Sequence, residues 1–127
     1  MQEIRCNSQI PFEEELDSVL SRIPADQVIA MEARIDDWAA AITQDPNDFF
    51  ASNWKAGSDW RGTPFQTLYD AIGDMEEAGK RLGSLVRRVI VRRVCNGERW
   101  YMYRNPEAGT PECPRQFWGT FYWRHMN

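Results

Sequence analysis

The stretch "GKRLGSLVRRVIVRRVCNGERWYMYR", residues 79–104, carries eight basic residues and one acid, Glu98, in a chain of sequence pI near 5.0. Asn96-Gly97 stands between two β-prone runs, and this dipeptide favours a two-residue hairpin turn, whose central residues need positive φ. A hairpin over 89–104 would set Val94 opposite Arg99, Arg92 opposite Tyr101 and Ile90 opposite Tyr103. Just upstream, Met75, Ala78, Leu82, Leu85, Val86 and Val89 recur at helical spacing. Lys80, Arg81, Ser84, Arg87 and Arg88 take the other side. The spacing therefore predicts a basic amphipathic helix over 75–88, followed by the hairpin.

Working outward, Thr63 and Pro64 suit the N-cap and first position of a short helix that Gly73 ends. Asp74 can cap the basic helix that follows. In "FEEELDSVLSRI" (12–23), Phe12, Leu16, Val19, Leu20 and Ile23 form one apolar face, and three glutamates open the first turn. Pro24 breaks this helix. In "ADQVIAMEARIDDWAAAI" (25–42), Val28, Met31, Ile35, Trp38 and Ile42 mark a second helix. Residues 43–62 read as a loop pinned by Phe49, Phe50, Trp54 and Trp60. Residues 105–114 read as another loop. "RQFWGTFYWRHM" (115–126) could be a third strand with a glycine kink.

The expected fold is α+β: a mainly helical N-terminal part, then a module with a β-hairpin and a possible third strand. Three segments are anticipated within one domain: an acidic helical pair (1–44), an aromatic-containing loop (45–62) and the module at 63–127. With 43% hydrophobic residues among 127, the chain can bury a core, which argues against global disorder. No apolar run has the roughly 18 residues of a membrane span, and no signal-peptide pattern opens the chain. A cytoplasmic protein without membrane contact is the expectation.

Short helix, turn, basic helix and Asn-Gly hairpin, in that order, resemble the winged helix-turn-helix. The resemblance covers about residues 58–104. "DWRGT" and "AGKRLGSLV" are similar to winged-helix segments of phage and plasmid replication proteins, but the primase or helicase parts of those proteins have no counterpart here. The resemblance implies that the helix at 75–88 lies in the major groove of double-stranded DNA. Lys80, Arg81 and Ser84 would then approach the bases, and Arg87 and Arg88 the phosphate backbone. Arg92 and Arg99 would act from the wing. A homodimer would suit paired half-sites.

Charge supplies a competing reading. Residues 1–79 hold five Lys/Arg against sixteen Asp/Glu, a net −11, while residues 80–127 hold ten against three, a net +7. The acidic helices, with Glu13, Glu14, Asp17, Glu32 and Asp36, could bind a basic nucleic-acid enzyme as a DNA mimic of the anti-CRISPR or anti-restriction type. Alternatively, the two halves neutralise each other in a structural or interaction domain with no nucleic-acid role. Catalysis has little basis: His125 is the one histidine, and no nucleophile, P-loop or dinucleotide motif occurs. Cys6, Cys95 and Cys113 contain no Cys-x-x-Cys pair, so reduced thiols are expected rather than zinc ligands. No cofactor is implied. The function expected is non-enzymatic DNA binding in an accessory or regulatory role, with a phage or another mobile element as the expected source.

Overall fold

A computed structural model describes residues 1–115 and 118–124. Its elements run β1 (Gln2–Ile4), α1 (Glu13–Leu20), α2 (Ala25–Ala41), β2 (Phe49–Ala51), α3 (Ser52–Ala56), α4 (Gln66–Ile72), α5 (Met75–Cys95), β3 (Trp100–Arg104) and β4 (Thr120–Arg124). The fold class is α+β, with α1, α2, α4 and α5 packed on one face of a four-stranded antiparallel sheet of order β1-β3-β4-β2. The strands come from all three expected segments, because β1 precedes the helical pair and β2 lies in the stretch read as loop.

The hairpin over 89–104 does not form. Residues 89–95 continue α5, which runs for 21 residues. Leu85, Val86, Val89 and Ile90 prolong the apolar face set by Leu82, and all are buried. Adding a residue to an existing helix gains a hydrogen bond for each residue ordered, whereas a new hairpin needs its own nucleus. Arg92 and Arg93 also suit the negative end of the helix dipole.

Asn96-Gly97 serves as the helix stop. The Gly97 amide donates to the Val94 carbonyl at 3.0 Å and the Glu98 amide to the Arg93 carbonyl at 3.1 Å, with Gly97 at φ 103°. Those two bonds make a Schellman motif, which wants positive φ at the residue after the cap just as the hairpin turn does. At the other end of α5, the Asp74 carboxylate accepts from the Glu76 amide at 3.0 Å, and Gly73 ends α4 at φ 79°.

Register divides the sheet into two faces. Ile4 stands beside Trp100, and Phe50 beside Tyr122. These four side chains are buried in one core with Leu16 and Val19 of α1, Met31 and Ile35 of α2, Leu68 of α4 and the apolar face of α5. Helix α5 packs against α1, α2, α3 and α4 and forms the spine of the helical layer. On the outer face, Phe49 stacks on Trp123 with ring centroids 4.8 Å apart, and Phe121 meets Trp54 at 5.2 Å. The expected third strand is thus β4, adjoining β3 and β2. Gln116, Phe117, His125 and Met126 of that stretch lie outside the described residues.

The cysteines depart from expectation. Cys6 and Cys95 form a disulfide across 89 positions, with Cα atoms 4.7 Å apart, while Cys113 is buried as a thiol. Sequence spacing carries no trace of that proximity, because the sheet brings the segment after β1 to the end of α5. Among the described residues, no helix is long and apolar enough to cross a membrane.

Candidate nucleic-acid interface

The basic residues of α5 part into three sets around the helix. Arg81 and Ser84, expected to approach bases, are buried at 7% and 3% exposure. The Arg81 guanidinium lies 4.9 Å from the centre of the Phe12 ring, and Phe12 is held there by a left-handed backbone (φ 54°). Its Nη2 is 3.9 Å from Glu77, while Nε and Nη1 are buried without a hydrogen-bond partner in the structure. Ser84 donates its hydroxyl to the Lys80 carbonyl at 3.2 Å, a bond back to its own helix.

A second set is neutralised by the acidic half. Arg88 pairs with Asp17 at 2.6 Å and Glu13 at 3.7 Å. Arg92 pairs with Glu32 at 2.6 Å, and Arg93 with Asp36 at 3.2 Å and Glu98 at 3.0 Å. On β3's approach, Arg99 pairs with Glu3 at 3.6 Å. The residues expected to offer an acidic interface, Glu13, Asp17, Glu32 and Asp36, are thus the partners of this set. Only Glu14 of that group is exposed with no ion pair among the described residues.

Glu98 anchors the corner where α5 meets the sheet. It accepts from Arg93 at 3.0 Å and from the Trp100 indole at 2.9 Å, with Arg124 at 3.8 Å. Burial pushes its carboxyl up, but the Trp100 and Arg93 hydrogen bonds and the Arg93 and Arg124 charges outweigh that and hold it below its ordinary value. Burial likewise pulls Arg93 down, and its bonds to Glu98 and Asp36 reverse the direction.

The third set lines a groove of about 1200 Å³ between the first half of α5 and the far end of the sheet's inner face. Gly79, Lys80, Gly83, Ser84 and Arg87 form the helical wall, and Gln2, Met102, Arg104, Thr120 and Tyr122 the sheet wall. Arg115 and Trp118, from the β3–β4 connection, close one end, with the Arg115 guanidinium 5.5 Å from the Trp118 ring centre. A Cβ on Gly79 or Gly83 would meet nothing within 4 Å, so neither glycine serves close packing. Each costs the helix about 1 kcal/mol relative to alanine and leaves bare backbone facing open space.

Four cations, Lys80, Arg87, Arg104 and Arg115, line this groove against one acid, Glu76. Arg87 donates to the Tyr122 hydroxyl at 3.1 Å, and Lys80 lies 3.4 Å from Glu77. Burial pushes the Tyr122 phenol up, with the Arg87 charge opposing, so it remains a neutral partner. Arg104 and Arg115 are exposed, and neither has a carboxylate within 4 Å among the described residues. Of the residues lining this groove, sequence reasoning singled out Lys80, Ser84 and Arg87 but not Arg104 or Arg115. The available signal was "GKRLG", two glycines four apart inside an otherwise good helix. No protein family, curated protein or solved structure matches the chain.

Proposed function

We propose that this chain is a non-enzymatic nucleic-acid-binding accessory module that holds a single-stranded segment in the groove beside α5. The observation carrying this reading is the concentration of Lys80, Arg87, Arg104 and Arg115 around one recess of an acidic protein, while the remaining α5 arginines are occupied internally. Single-strand sites combine a cationic groove with aromatic rings on which bases stack, and Trp118 with Arg115 supplies such a platform. Duplex reading asks instead for a protruding helix. Here Arg81 is buried against Phe12, Ser84 bonds back to its own helix, and the accessible cations stand in a concavity.

The test is fluorescence anisotropy with labelled single-stranded DNA, single-stranded RNA and duplex DNA over a salt series. Three or four phosphate contacts give a log–log salt slope of roughly −2 to −3 for a single strand. Arg104→Ala and Arg115→Ala should each make the slope shallower by about 0.7. Absence of binding at low salt, or affinity indifferent to salt, defeats the proposal. A preference for duplex that depends on Arg88 would return the interface to the outer side of α5.

A further inference from the structure

We propose that the Cys6–Cys95 disulfide is a redox latch on the groove, fixing β1 so that its leading end completes the sheet wall. This rests on the nucleic-acid reading of the groove for its ligand, though not for the motion of β1. Both cysteines are exposed, and the bond joins the residues just after β1 to the last residue of α5, the helix that forms the opposite wall. Met1 and Gln2 line the groove directly.

Without the cross-link, little else holds this segment. Strand β1 is three residues long, lies at the sheet edge and, among the described residues, pairs only with β3. Ile4 is its one buried side chain. Glu3 makes two ion pairs, with Arg5 and Arg99, both at 3.6 Å and both with exposed arginines, a kind of contact that contributes little. Short edge segments tied so lightly open locally at low free-energy cost. In a reducing cytosol, disulfides that do form are usually transient and redox-sensing, and an exposed bond is open to attack.

The chemistry balances with a dithiol reductant. Its thiolate attacks one sulfur of the Cys6–Cys95 bond, giving a mixed disulfide and releasing the other cysteine thiolate. The reductant's second thiol then displaces the remaining cysteine. Two electrons and two protons end on Cys6 and Cys95, and the reductant leaves as its own disulfide. Glutathione disulfide reverses the process, with two glutathione thiols as product.

The experiment compares the full chain before and after reduction with dithiothreitol, confirmed by the release of two further thiols. It reads amide hydrogen exchange at residues 2–6 and 100–102, and binding of a fluorescein-labelled oligo-dT. Reduction should speed exchange at both segments. If β1 is then docked for about a tenth to a fifth of the time, affinity falls about five- to tenfold. Reoxidation should restore both readings. Cys6→Ser and Cys95→Ser should each behave as the reduced protein under either condition. Unchanged exchange after full reduction overturns the latch, and so does faster exchange with unchanged affinity. Faster exchange with no oligonucleotide binding in either state supports redox release of β1 while removing the nucleic-acid reading.

Discussion

Arg88 Nη2 donates to Asp17 Oδ1 at 2.6 Å, joining the middle of α5 to α1 across 71 positions of sequence. With the Arg92–Glu32 and Arg93–Asp36 pairs, it shows how the acidic and basic halves of the chain meet. The neutralised side of α5 and the groove side therefore answer to different tests.

Removing the Arg88–Asp17 pair should cost stability and leave groove binding alone. Asp17 remains largely solvated, so the coupling in a double-mutant cycle with Arg88→Ala and Asp17→Ala should be about 1 kcal/mol or less. Chemical denaturation measures it. Oligonucleotide affinity of Arg88→Ala should match that of the parent chain.

The bare helical wall gives a prediction of opposite sign for stability and binding. Gly83→Ala should stabilise the protein by roughly 0.5–1 kcal/mol, since a Cβ there meets open space and alanine is the better helix former. Gly83→Gln should keep part of that gain but project into the groove and weaken oligonucleotide binding. Thermal melts and anisotropy on the same samples separate the two effects.

At the end of α5, Gly97→Ala should be destabilising. Its φ of 103° is outside the range an L side chain readily adopts, and the penalty is roughly 1–2 kcal/mol. Loss should appear as fraying of the last turn of α5, read by amide exchange at Gly97 and Glu98.

Cutting the disulfide should lower global stability. For a closed loop of about 90 residues, chain-entropy reasoning gives roughly 3–5 kcal/mol. Denaturant midpoints with and without reductant, and for Cys95→Ser, supply the measurement.

Acid should loosen the corner held by Glu98. Its folded-state pKa lies below the unfolded value near 4.5, so its contribution is fully present above that pH. It is lost as pH falls through the folded pKa. A stability–pH profile should show this acid limb, and Glu98→Gln should flatten it while lowering stability at neutral pH.

The helices were largely legible. The three-and-four spacing of Leu16, Val19, Met31 and Ile35, the Asp74 cap and the Gly73 stop all appear as the residues imply. Asn96-Gly97 misled because a helix stop and a hairpin turn make the same demand for positive φ. Only the continuing apolar face through Ile90 distinguishes them, and β-branched residues there suit either state. Strands β1 and β2 were invisible for a different reason. Three residues show no period, and Phe50 is stabilised by Tyr122, 72 positions away in the chain. The lining of the proposed groove site was half legible for the same reason: Lys80 and Arg87 share a helix with their wall, whereas Arg104 and Arg115 reach the groove only through the sheet.

The order of strands also governs how the chain can assemble as it is made. Phe49 belongs beside Trp123, and Ala51 beside Phe121, so β2 has no neighbour until residues 120–124 have been synthesised. Until then Phe49 and Trp54 lack the rings of Phe121 and Trp123, while α1, α2 and α5, all complete by Cys95, can already pack together. Such non-local pairing slows folding and leaves sticky surface exposed in the meantime. Ribosome-bound chains halted before Thr120 should consequently be the ones that chaperones hold longest.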